Sequence, residues 1–145
     1  MSEIPPDGVS EERIKEILKS SKVIAVVGAS RTEGKPANYV PAYLKSKGYK
    51  IIPVNPFAEE ILGEKAYKSL LEIPEEVKID IVDVFRPPEE VKKVVEEAIK
   101  RGVKIVWLQL GIYNKEAVEL AKKNNIEIIW NRCMMETHRR LFSSS

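Results

Sequence analysis

The stretch Lys22-Val-Ile-Ala-Val-Val-Gly-Ala-Ser-Arg31 decides the fold. Val23, Ile24, Val26 and Val27 form a nearly continuous β-branched run, which suits a parallel strand covered on both faces. Gly28-Ala29-Ser30 then turns the chain toward a helical pattern. A strand-to-helix turn needs a small residue and leaves backbone N–H groups facing the space above the sheet. Together with the positive end of the helix dipole, such groups suit a phosphate, although the same turn also serves as a plain connection in doubly wound domains.

Spacing narrows the kind of loop. A nucleotide-hydrolase phosphate loop needs Gly, four residues, Gly-Lys and then Ser or Thr. Ahead of Gly34-Lys35 the first position holds Ala29, and Pro36 stands where the metal-binding hydroxyl belongs. Gly-x-Gly-x-x-Gly fails as well, because Ser30 and Glu33 occupy its second and third glycine positions. The second strand, Tyr49-Lys-Ile-Ile-Pro-Val54, leads into Asn55-Pro56 and offers no acid for a ribose 2′-hydroxyl. Both common nucleotide readings are weakened, and an NAD(P)-binding oxidoreductase or redox sensor stays only as an alternative.

Composition describes one soluble domain. A chain of 145 residues buries about two thirds of its unfolded surface. Its 24 Lys and Arg against 22 Asp and Glu argue against a dedicated nucleic-acid face. No apolar run reaches the length of a membrane span, and the start Met1-Ser-Glu-Ile-Pro-Pro-Asp7 has no signal-peptide pattern. Cys133 is the single cysteine and cannot form an internal disulfide, so the expected compartment is the cytoplasm. Abundant Lys and Glu with Gln109 as the lone glutamine is a bias of thermophilic proteins.

Strands and helices alternate along the chain without an interdomain linker. Ser10-Glu-Glu-Arg13 opens a helix to about Lys19, with Ile14, Ile17 and Leu18 on one face. Further helices are expected from Pro36 to Lys47, from Pro88 to Gly102 and from Asn114 to Asn124, with a short basic helix through His138 and Arg140. Pro41 lies inside the first of these, so its regular part is expected to begin only there. The strands are 22–28, 49–54, 80–85, 103–108 and 126–130. Residues 1–21 read as a leader and helix packed on the domain, and 22–142 as the domain itself.

Five strands separated by helices give an α/β fold, a Rossmann-like doubly wound five-stranded parallel sheet in a single domain. Ligands of such sheets lie beyond the carboxyl ends of the strands. That rule selects Gly28-Ala-Ser-Arg31, Asn55-Pro-Phe57, Phe85-Arg-Pro-Pro88, Gln109-Leu-Gly111 and Asn131-Arg-Cys133. Each end pairs polar or small residues with apolar ones, which suits a long ligand with charged and greasy parts. Arg31 and Lys35 can meet phosphates, while Phe85, Pro87, Pro88 and Leu110 can line an apolar track. Trp107 and Trp130 read as core, and Tyr39 and Tyr43 as a packed helix face. His138, beside Arg132, Arg139 and Arg140, makes neither a metal site nor a catalytic dyad. Cys133 falls on the ligand side, where Arg132 would favour its thiolate, or else it is simply buried and inert.

These residues carry a resemblance. Val26-Val-Gly-Ala-Ser30, Gly48-Tyr-Lys-Ile-Ile-Pro-Val-Asn-Pro56, Ile61-Leu-Gly63 with Tyr67 and Leu70, Asp80-Ile-Val-Asp-Val-Phe-Arg86, Val106-Trp-Leu-Gln-Leu-Gly111 and Asn131-Arg-Cys133 through Leu141 resemble the small stand-alone coenzyme A-binding proteins. Those are similar in turn to the coenzyme A-binding domain of the succinyl-coenzyme A synthetase alpha subunit. The resemblance spans roughly residues 20 to 142. It implies a Rossmann-like fold with coenzyme A across the strand ends. By that resemblance Gly28, Ala29, Ser30, Arg31 and Lys35 meet the phosphates, Asn55 and Phe57 lie toward the nucleotide, and Phe85, Arg86, Gln109 and Leu110 follow the pantetheine arm; Cys133 is added near the ligand from its position just past the fifth strand. Thr137 precedes His138 where related sequences tend to carry glutamate, and the phosphohistidine domain of the synthetase has no counterpart here. Ligase activity therefore does not transfer with the fold. The expected function is binding of coenzyme A or a short acyl-coenzyme A without chemistry of its own, with a scaffold subunit of an acyl-coenzyme A enzyme as a further alternative. No nucleic acid or membrane partner is expected, and a homodimer is left open.

Overall fold

A computed structural model describes residues 3–143. Its elements run α1 (Glu11–Ser20), β1 (Val23–Val27), α2 (Pro36–Ser46), β2 (Lys50–Val54), β3 (Glu60–Ile61), β4 (Glu64–Lys65), β5 (Ile81–Val84), α3 (Pro88–Lys100), β6 (Ile105–Leu108), α4 (Lys115–Lys123), β7 (Glu127–Ile129) and α5 (Met134–Phe142). Five strands form one parallel sheet in the order β2-β1-β5-β6-β7. The strand order reverses between β1 and β5, and this topological switch point is where doubly wound sheets open a crevice.

Residue alternation along the strands divides the core into two layers. Ala25, Val27, Val82, Val84, Val106 and Leu108 meet Val91, Val95 and Ala98 of α3 and Ala117 and Ala121 of α4. On the opposite face Ile24, Val26, Ile51, Ile81 and Trp107 meet α1, α2 and Met134 of α5. Ile14, Ile17 and Leu18 of α1 are almost completely buried, so that helix belongs to the core. Its start is capped by Ser10, whose Oγ accepts from Arg13 N–H at 3.1 Å. Trp107 and Trp130 are both buried, as expected.

Two elements differ from expectation. The helix α2 begins at Pro36 and runs straight through Pro41. A proline at 41 cannot donate to the carbonyl of Ala37, four residues back. That carbonyl instead accepts from Ser30 N–H at 3.1 Å, so the missing helix bond is replaced by a tether to the loop after β1. The second difference is the β3–β4 hairpin, which the periodicity does not announce. Leu62 and Gly63 at its turn both have positive φ, the geometry that a two-residue hairpin requires. From there the chain returns along β2, with Tyr67 N–H donating to Pro53 O and Asn55 N–H to Tyr67 O, and Lys68 and Ser69 arrive at the ligand end of the sheet. Among the described residues no helix is long and apolar enough to cross a membrane.

Candidate functional site

At the switch point the turn after β1 packs directly on the turn after β5. Gly28 has φ +89, and a Cβ there would stand 2.6 Å from the Phe85 carbonyl oxygen and 2.9 Å from Arg86 Cδ. The glycine is therefore required by the protein's own close approach, before any ligand is considered. Gly28 N–H extends the ladder to Val54 O at 2.9 Å. Ser30 Oγ accepts from Thr32 N–H, and Ser30 O accepts from Asn38 Nδ2. Asn55 ties the neighbouring loop in: its Nδ2 donates to Ala29 O at 2.8 Å and its Oδ1 accepts from Phe57 N–H at 2.7 Å. Gly28, buried Ala29 and Ser30 thus make a rigid floor with the Gly28 and Ser30 N–H groups already engaged. Arg31 and Lys35 rise from it, both exposed.

Two cavities open above the strand ends. One, of about 550 Å³, lies on the α2–α5 side and is mainly apolar, with Tyr39, Val40, Phe85, Leu110 and Ile112 in its wall beside Gln109 and Cys133. The other, of about 410 Å³, lies on the α3 side between Gly28, Asn55, Phe57, Lys68, Ser69 and Lys93. Arg86 lines both. Its Nε and Nη2 donate to Glu90 Oε1 at 3.1 and 2.8 Å, and Nη2 also reaches Oε2 at 2.9 Å. Phe57 is 88% and Leu110 66% exposed, so each cavity carries a large apolar side chain that the fold itself leaves uncovered. Tyr39 does not join a packed helix face as expected; it is exposed beside the apolar cavity, whereas Tyr43 hydrogen-bonds His138 Nδ1 at 2.9 Å.

Gln109 is buried between the site and the core. Its Nε2 donates to Asp83 Oδ1, and its Oε1 accepts from Met134 N–H at 3.3 Å, which links the start of α5 to the sheet. Asp83 is wholly buried, and Oδ2 has no hydrogen-bond partner among the described residues. Burial pushes its carboxyl up to about 7, against the smaller lowering by the Gln109 amide and the Val84 backbone. Residue spacing gave no sign of this group.

Arg132, expected beside Cys133, is engaged elsewhere. Arg132 Nε and Nη2 are taken by the Asp7 carboxylate at 2.9 and 2.6 Å, because Asp7 anchors the leader to the end of β7. Burial of Asp7 opposes its ionisation, but Arg132 and the N–H groups of Val9 and Trp130 outweigh it and lower the pKa. Cys133 itself is half-buried at the cavity wall. Burial, with Lys47 alongside, lowers His138, which packs on Phe142 with a ring separation of 4.7 Å, away from the cavities. At the opposite, amino-terminal end of the central strands a polar concavity of about 480 Å³ holds Asp80 and Arg101. Asp80 is engaged by the Lys22 and Val23 N–H groups, and Arg101 by four carbonyls.

Paired cavities at the switch point define the class: a doubly wound α/β protein with its crevice open above the strand ends. The chain belongs to the CoA-binding domain family, whose model matches residues 22–139. It is 41% identical over 129 residues to the uncharacterized protein YneT of Bacillus subtilis, covering 89% of this chain and 94% of that one. An ADP-forming acetate–CoA ligase of Methanocaldococcus jannaschii is 38% identical over 130 residues, which span 83% of this chain but only 18% of the ligase. A hypothetical protein from Pyrococcus horikoshii OT3 superimposes with a TM-score of 0.92 at 47% identity, over 99% of this chain and 100% of that structure.

Proposed function

We propose that the chain binds coenzyme A or a short acyl-coenzyme A, with the ligand lying across the switch point from one cavity to the other. The carrying observation is the pair of cavities of unlike character that share Arg86. The larger, apolar cavity suits the pantetheine arm and brings its thiol end toward Cys133, while the smaller, more polar one beside exposed Phe57 suits the nucleotide. Arg31, Lys35 and Arg86 supply charge for the phosphates between them, over the floor of Gly28, Ala29 and Ser30. The missing acid after β2, where Asn55 instead braces two loops, disfavours a nicotinamide dinucleotide.

Titration calorimetry of the full chain with coenzyme A, dephospho-coenzyme A and NAD tests the reading. Coenzyme A is expected to bind and to shield Cys133 from alkylation, and NAD to give no heat. Heat with NAD but none with coenzyme A would overturn it.

A further inference from the structure

Among the described residues Arg86 is the one common to both cavities, and its stem lies against Gly28 where the turns after β1 and β5 meet. A ligand spanning the two cavities must pass over it. Yet the guanidinium is already held by both oxygens of Glu90 one helical turn away. From the geometry we infer that Glu90 is an affinity-setting residue: it reserves Arg86 while the site is empty and yields it to the ligand's phosphates on binding. This inference rests on the coenzyme A reading proposed above.

The energetics favour the exchange. Arg86 and Glu90 side chains are 41% and 47% exposed, and an exposed i,i+4 pair is weak because water screens it. Charge-assisted bonds from a guanidinium to phosphate oxygens are stronger, and the fork suits them as well as it suits a carboxylate. Arg86 therefore transfers once a phosphate arrives. Glu90 does not move away with it, since it is fixed in the first turn of α3. The pair costs affinity twice over, by competing for Arg86 in the empty site and by leaving a bare carboxylate near phosphate in the filled one. Position 90 thus sets how tightly coenzyme A is held.

A double-mutant cycle read by calorimetry with coenzyme A tests this on the full chain. E90Q is expected to bind about three- to tenfold tighter than wild type, and R86A weaker. In the R86A background the gain from E90Q should shrink to about twofold or less, the part that relief of carboxylate–phosphate repulsion alone supplies, because nothing remains to reserve. E90A serves as a second variant, and the melting temperature of each confirms folding, since only an exposed pair is lost. Wild type binding coenzyme A with E90Q and E90A no tighter would overturn the inference and leave the coenzyme A reading intact. An equal gain from E90Q with or without Arg86 would also overturn it, in favour of plain charge repulsion. No binding by wild type or by either Glu90 variant would overturn both.

Discussion

The β1–α2 turn and the β5–α3 turn face each other across the switch point, and each leads into a helix that begins with proline and has no side-chain cap. Their charges are opposite. The first turn of α2 carries no acid and is preceded by Arg31 and Lys35, whereas that of α3 carries Glu89 and Glu90. A helix N-terminus attracts anions through its dipole and open N–H groups, and carboxylates placed there satisfy the demand from within. The first turn of α3 therefore brings its own carboxylates, whereas that of α2 brings none and is flanked by cations. Two turns with the same backbone plan thus differ in the charge that follows the proline.

The most severe way to break the comparison is to separate the two turns physically. Gly28→Val places a side chain against the Phe85 carbonyl at a residue with φ +89. Backbone strain and overlap together are expected to cost on the order of 3–5 kcal/mol of stability, read as a lowered denaturation midpoint. A valine variant that melts with wild type would show that the turns do not lean on each other. Because this glycine is structural first, lost binding in the variant says little about phosphate.

Next in size is a difference between the strands that carry the turns. Val26 of β1 lies in register with Asp83 of β5, so an apolar strand has a buried carboxyl beside it. Asp83 is pushed up to about 7 in the folded chain, against about 3.9 when unfolded. Native protein therefore holds the proton more tightly, and stability attributable to this group is lost as pH rises from about 4 through 7. Asp83→Asn keeps the acceptor for Gln109 and removes the ionisation. Its stability relative to wild type should improve across that window, by on the order of 2 kcal/mol at pH 8. Parallel melting curves at pH 5 and pH 8 check this, and a constant offset would mean that Asp83 does not titrate there.

Charge reversal between the turns is sharpened by single cations. Arg31→Ala and Lys35→Ala should each weaken coenzyme A binding by about 1–3 kcal/mol. Lys93→Ala should cost less than either, because Glu89 and Glu97 share its cavity. A larger loss at Lys93, measured by calorimetry, would move the phosphates to the α3 side.

Much of this was legible before any coordinates. Five strands, the helices between them and the list of strand ends follow from β-branched runs and helical spacing, since each buries a whole face and so repeats its signal. Of the strand-end residues named from sequence, Gly28, Asn55, Phe57 and Arg86 line one cavity and Lys35, Phe85, Arg86, Gln109, Leu110 and Cys133 the other, while Ala29, Ser30 and Arg31 line neither. What stayed hidden depends on single contacts. The β3–β4 hairpin has two residues per strand, too few to show a period. Arg132 next to Cys133 looked like an electrostatic partner, but Asp7, 125 positions away, claims it. Asp83 gave no signal because a lone acid in an apolar strand is indistinguishable from a surface residue until its neighbours are known. Pro41 misled for a related reason. Proline in a helix predicts a broken start only if the orphaned carbonyl has nowhere to turn.

That carbonyl supplies the smallest and most specific test of the comparison, since α3 has proline at its start but none in its interior. In α2, Ala37 O is free for Ser30 N–H because residue 41 has no proton to offer. Pro41→Ala creates a competing donor within the helix, where the i to i−4 geometry is already in place. One hydrogen bond replaces another, and the greater freedom of alanine in the unfolded chain opposes the gain of a regular helix, so net stability should stay within about 1 kcal/mol. The loop should register what stability does not. Ser30 N–H loses its acceptor, so its amide is expected to exchange faster with solvent, and the floor beneath Arg31 loosens. Coenzyme A affinity should fall by about two- to threefold as ordering of the loop is deferred to binding. Unchanged exchange at Ser30 in a folded Pro41→Ala chain would show that the loop is held by Asn38 and Asn55 alone, and that the interior proline does nothing for the turn it faces.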